Sequence, residues 1–150
     1  MKKYIVFALL CPLLFLQVVH AQIRKIPAEV TDAFKKQYPS ANGASWIDKL
    51  SYFQVDFTMN NGTYLAKYDS KGGWKSSEQT ITAAQLPGAV KDGFDKSVYA
   101  NKDWEIKEYT IVYLPGNVRK YRILVRKNAI DKKYLYFDGN GKMIDETTTL

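Results

Sequence analysis

Two stretches of the chain place apolar residues at helical spacing. Val30, Ala33, Phe34 and Tyr38 fall on one face of a helix opened by Pro27, and Val90, Phe94 and Val98 do the same behind Pro87. Proline at the first helical position has no hydrogen bond to lose and a preset φ. Pro39 stops the first helix. Gly88 and Gly93 weaken the second, and close packing of backbone against the sheet is the expected reason for Gly93. Thr82-Ala-Ala-Gln85 has the capping-box pattern and predicts an extra turn before Pro87.

Behind each helix the period changes from helical to two. The first set of strands is predicted at 44–48, 52–59, 63–68 and 74–79, and the second at 104–114, 118–127, 133–137 and 142–147. Asn60-Asn61-Gly62 and Pro115-Gly116-Asn117 are hairpin turns that accept positive φ. Asp69-Ser-Lys-Gly72 and Asp138-Gly-Asn-Gly141 are turns in which the aspartate bonds its own amides. Alternation sorts the faces. Phe53, Val55 and Phe57 point one way, as do Tyr121, Ile123 and Val125, with Tyr64, Ala66, Tyr68, Leu135 and Phe137 facing the same helices. Tyr52, Leu65, Lys120, Arg122, Leu124, Arg126, Tyr134 and Tyr136 point the other way.

The two segments also align with each other. Pro27/Pro87, Val30/Val90, Asp32/Asp92, Phe34/Phe94 and Lys36/Lys96 are identical pairs, and the Asp-x-x-Gly turns answer one another. The expected architecture is α+β, with two tandem repeats at about 26–80 and 86–147. Each repeat is a helix plus a four-stranded antiparallel sheet. The second carries a longer first hairpin.

The start of the chain has a different pattern. Lys2 and Lys3 precede an uncharged apolar run, and Val19-His20-Ala21 places a small residue just before the expected cut and a tolerated one two positions earlier, as in a secretory signal peptide. Residues 1–21 are therefore expected to be removed, leaving a single domain over 22–150 that is periplasmic or secreted and has no membrane span. Cys11, preceded by Leu10 rather than a small residue, reads as part of the apolar run and not as a lipid attachment point.

Composition narrows the chemistry. The chain has 150 residues, a formal charge of +7, one Cys and one His, and both of these lie in the leader. A mature chain without Cys or His lacks thiol nucleophiles, a Ser-His-Asp arrangement and nearly every zinc or haem ligand set. Asp138-Gly-Asn140-Gly-Lys142 opens like a calcium loop, but Lys142 and Thr149 stand where ligands belong. Glu105, Lys107 and Glu108 read as a cross-strand charge ladder rather than an acid–base pair. Ser76 and Ser77 have no histidine to activate them. No catalytic residue, cofactor or metal site is expected, and the protein reads as non-enzymatic. Arg119-Lys120-Tyr-Arg122 and Arg126-Lys127 form a basic stretch next to tyrosines, but export argues against nucleic acid as its partner.

Helix-then-four-strands twice, with Ile-Pro-x-x-Val-x-x-x-Phe at Ile26 and its counterpart at Leu86, and a D-x-x-G turn before each last strand, resembles the PepSY-like family of exported proteins. That family is similar in fold to the β-lactamase inhibitor protein. The resemblance implies a surface built from both sheets and brings no enzyme activity. The combined expectation is a binding module whose open face, formed by the eight outward residues from Tyr52 to Tyr136 named above, meets an envelope or extracellular protein, with inhibition as one outcome. The alternative is an envelope glycan or small ligand on that same aromatic and basic face.

Overall fold

The computed structural model describes residues 25–149, so the expected leader, Cys11 and the start at Gln22 lie outside the described residues. Two helices and eight strands follow in the order α1 (Ala28–Gln37), β1 (Asn42–Asp48), β2 (Phe53–Met59), β3 (Gly62–Tyr68), β4 (Trp74–Ile81), α2 (Gly88–Asp95), β5 (Glu105–Leu114), β6 (Val118–Arg126), β7 (Lys132–Phe137) and β8 (Met143–Thr149). Among the described residues no helix is long and apolar enough to cross a membrane.

All eight strands belong to one antiparallel sheet in sequential order. This corrects the expectation of two four-stranded sheets. Ser77 to Ile81 of β4 pair with Tyr113 to Tyr109 of β5, so the first four strands and the last four share one hydrogen-bonded ladder. Joining them removes two sheet edges that would otherwise present unpaired amides.

Both helices lie on the same side. Val30 and Phe34 of α1 pack on Phe53, Val55, Phe57, Ala66 and Tyr68. Val90 and Phe94 of α2 pack on Tyr121, Ile123, Val125, Leu135 and Phe137. Pro27 and Pro87 are the residues just before the first helical turn rather than its first member. The Pro27 carbonyl accepts the Val30 and Thr31 amides. The Thr82–Gln85 capping box is formed, and a 3₁₀ turn over Ala83–Gln85 leads into α2. Val98 departs from its expected place. The helix has ended, Val98 is 74% exposed, and Tyr99 fills the apolar position instead.

The two Asp-x-x-Gly turns lie against the helices. A side chain at Gly72, whose φ is +82°, would meet the Glu29 carbonyl of α1. In the second turn Gly141, also at φ +82°, opposes Ala89, and any side chain at Gly93 would strike the Gly141 carbonyl. The backbone that closes on Gly93 is therefore this turn, not the sheet. Asp69 Oδ1 accepts the Lys71 and Gly73 amides, both at 2.9 Å. Asp138 Oδ1 accepts those of Asn140 and Lys142 at 2.9 and 3.0 Å. The two backbone bonds to Asp69 hold its carboxyl below the usual range.

Candidate functional site

Because both helices cover one side, the alternate residues of every strand look away from them. Register assigns them to rows. Leu65 stands beside Asp56 and Glu78, Glu78 beside Val112, and Val112 beside Lys120. The next row runs Thr63–Thr58 on one side and Thr80–Thr110–Arg122–Tyr136–Asp145 on the other. Glu108, Leu124, Tyr134 and Thr147 form a third, and Glu105, Arg126 and Lys132 a fourth. Tyr52 lies just ahead of β2, with Lys67 Nζ 5.8 Å from its ring centroid. All eight residues anticipated on the uncovered side are half-buried. Those from β3, β6 and β7 alternate with residues packed under the helices.

The centre of this side is a charge network. Arg122 meets Glu78 at 2.8 Å and Glu108 at 3.3 Å, and Glu78 also takes Lys67 at 2.9 Å. Thr110 Oγ1 donates to Glu108 at 2.7 Å, and the Arg122 guanidinium lies 4.6 Å from the Tyr134 ring centroid. Side chains of Arg122 and Glu78 are each 14% exposed. Thr110 and Val112 are 2% and 8% exposed although neither α1 nor α2 lies on their side. The Arg122 guanidinium donates to Thr110 Oγ1 at 3.3 Å. Burial opposes the charge on Glu78, but Arg122 and Lys67 outweigh it and hold the carboxyl below its ordinary range. Burial likewise opposes the Arg122 charge and is outweighed by Glu78. Asp56, Glu78, Glu108, Thr110 and Arg122 line a cleft of about 320 Å³ in the middle of the face.

Of the basic stretch, Arg126 pairs with Glu105 at 2.9 Å and Lys127 with Asp103 at 3.8 Å, and Lys133 on β7 pairs with Glu146 at 2.6 Å. Lys107 and Glu105, at 2.7 Å, extend the ladder. Glu78, Thr110 and Val112 are the central residues that sequence reasoning missed. Their signal, the alternation of Ser76, Glu78 and Thr80, is present in the chain. Its meaning depends on β4 meeting β5. Among the described residues no group of three or more His, Cys, Asp or Glu could hold a metal ion.

The helix side carries a second feature. Over the seam between the halves, beyond the end of α1, a groove of about 440 Å³ is lined by Trp74, Tyr113, Asn117, Arg119 and Tyr121, among others. A further stretch of about 280 Å³ shares Trp74 and Tyr113 and adds Gln37, Tyr38, Met59 and Tyr64. Trp74 is half-buried here, between the turn after β3 and the groove.

Comparison with known proteins agrees with this architecture. The family described as β-lactamase-inhibitor-like and PepSY-like matches residues 51–145. No curated protein matches the sequence. A DUF2874 family protein from Bacteroides ovatus is 27% identical, with a TM-score of 0.76 over 83% of this chain and 89% of its own. A BLIP-like protein from Bacteroides fragilis is 25% identical, with a TM-score of 0.76 over 85% of this chain and 89% of its own. A protein assigned to the periplasm of Bacteroides eggerthii is 25% identical, with a TM-score of 0.74 over 83% and 90%. By the match of more than half its length, this chain belongs to the PepSY-like, β-lactamase-inhibitor-like family.

Proposed function

We propose that the protein is an exported, non-catalytic recognition module that binds another protein through the helix-free side of its sheet. The observation that carries this reading is the asymmetry of the sheet. One side is sealed by Val30, Phe34, Val90 and Phe94, while the other holds a preformed array of charged and aromatic side chains that no element among the described residues covers. Tyr and Arg concentrate binding energy because they bury much area and keep a polar end. Fixed ion pairs position such groups before a partner arrives, which lowers the entropy lost on binding. The BLIP-like relative supports a binding role with inhibition as one form of it. The Lys2-Lys3 and apolar start, together with the relative assigned to the periplasm, supports export. We read the single domain as two copies of one helix-plus-four-strand unit joined edge to edge at β4 and β5.

The residues that carry affinity in this reading are Tyr136, Tyr134, Leu65, Tyr52, Leu124, Lys120 and Arg126. Arg122 acts mainly by holding the array, since its charge is already taken by Glu78 and Glu108. The test is capture of a partner from envelope extract, followed by affinity measurement with variants. Tyr136→Ala should weaken the complex by about 1–2 kcal/mol, while Lys35→Ala, on an exposed position of α1, should leave it unchanged. A partner indifferent to Tyr136→Ala and Leu65→Ala would overturn the proposal.

A further inference from the structure

We propose that the groove on the helix side, over the β4–β5 seam, is a second binding site and that its ligand is an acidic oligosaccharide. Three observations lead there. The first is that its aromatic rings are held in place before any ligand arrives. Trp74 Nε1 donates to Ser77 Oγ at 2.8 Å, and Tyr38 Oη shares a 2.6 Å hydrogen bond with the same oxygen. Gln37 Nε2 donates to Tyr38 Oη at 3.3 Å, and Tyr68 Oη donates to Gln37 Oε1 at 2.8 Å. Tyr113 Oη donates to Gln79 Oε1 at 2.8 Å. These bonds anchor the polar ends of Trp74, Tyr38 and Tyr113 to the protein; Tyr38 also packs on Phe57 at 4.8 Å, so what the groove offers is the half-buried ring surface of Trp74 and Tyr113. Burial raises the pKa of Tyr38 and Tyr113, so both hydroxyls stay protonated and neutral in this role.

The second observation is charge. Among the described residues neither stretch of the groove is lined by an Asp or Glu, and Arg119 stands at its wall with its guanidinium 5.4 Å from the Tyr113 ring centroid. On the opposite side of the same sheet the cleft carboxylates Glu78 and Glu108 already hold Arg122 and Lys67. Arg119, beside a lining without a carboxylate, gives the groove a local positive charge that favours an anionic ligand. The third is that the floor strands are paired along both edges, β4 to β3 and β5, and β5 to β4 and β6. No free strand edge is open there to a peptide backbone, which removes strand addition as a mode of recognition. Recognition has to come from ring faces, an amide and a guanidinium. The electron-rich face of an aromatic ring attracts the C–H face of a sugar, Asn117 can bond hydroxyls, and Arg119 matches a sugar carboxylate in fork geometry.

The test follows the purified protein by NMR during titration with hexagalacturonate, maltohexaose and a hexaglutamate peptide as separate probes. Hexagalacturonate should give a saturable shift of the Trp74 indole N–H. Maltohexaose should bind about tenfold more weakly, and the peptide should not shift that signal. Arg119→Gln should weaken hexagalacturonate binding about tenfold, roughly 1.4 kcal/mol, without changing the thermal midpoint, because Arg119 is exposed. Tyr136→Ala should leave the titration unchanged, which separates this site from the helix-free face. Absence of a saturable shift, equal binding of maltohexaose or hexaglutamate, or shifts confined to Tyr134 and Tyr136 would overturn the proposal. Trp74→Phe, followed through the Asn117 and Arg119 amide signals, keeps a ring in the groove while losing the bond to Ser77, and it should weaken hexagalacturonate binding.

Discussion

The first and second halves of the molecule place a helix over four strands by different packing chemistry. Under α1 the core is aromatic. Phe34 has ring contacts with Tyr38, Trp46, Phe57 and Tyr68, at centroid distances of 5.7, 5.4, 5.1 and 6.5 Å. Under α2 the buried set also includes rings, Phe94, Tyr99, Tyr121 and Phe137, but they are interleaved with Val90, Ile123, Val125 and Leu135, and the ring contact there is Tyr99 with Trp104 at 5.1 Å. The helices differ too, 10 residues against 8. The shorter one lies closer to its turn, because Gly93 faces Gly141 where the first half has Ala33 near Gly72. The comparison shows that the fold requires an apolar helix face and a close-fitting turn. Large rings can meet that requirement, and so can aliphatic side chains with a glycine contact. The longer β5–β6 hairpin adds something the first half lacks, since Asn117 and Arg119 on it form the wall of the groove at the seam.

The widest test of this comparison is truncation of the paired phenylalanines. Phe34→Ala and Phe94→Ala should each cost about 3–5 kcal/mol in denaturant unfolding. Phe34→Ala should be the larger, by roughly 0.5–1.5 kcal/mol, since only it loses several ring contacts. Equal losses would show that the aromatic cluster adds nothing beyond burial.

A smaller effect is expected at the helix–turn contact. Gly93→Ala should destabilise by about 1–3 kcal/mol through overpacking against backbone that cannot rotate away. Ala33→Gly should cost only about 0.5–1 kcal/mol, the ordinary helical preference for alanine. A stabilising Gly93→Ala, as helix propensity alone would give, would mean that the second turn can retreat from its helix.

The smallest effect concerns the network where the halves meet. The Glu78 carboxyl has a lowered pKa, so its contribution to stability is complete above the unfolded value, about 4.3. It fades as pH falls through the folded value. Glu78→Gln should reduce stability at neutral pH and flatten the loss between about pH 5 and the acid limit. Asp69, Glu105 and Glu146 have lowered values as well, so some acid sensitivity should persist in the variant. A variant whose acid profile matches that of the parent would assign the sensitivity to those exposed groups alone.

The order of elements, the turns at Asn60–Asn61 and Asp138–Gly141, and the apolar faces of both helices were legible in the chain. They follow from periods of 3.6 and 2 and from residues that accept special φ values, which are properties of a few neighbouring positions. The outward direction of Arg122 and Tyr136 was legible for the same reason. Its partners were not. That β4 joins β5, that Arg122 is taken by Glu78, and that Thr110 and Val112 are buried on the side away from α1 and α2 depend on residues far apart in the chain. So does the groove, in which the cap of α1, the start of β4 and the hairpin after β5 converge. Local patterning determined the elements and their faces. Which elements became neighbours, and hence what each face can bind, was decided by tertiary packing, because alternation specifies a direction for each side chain but no partner.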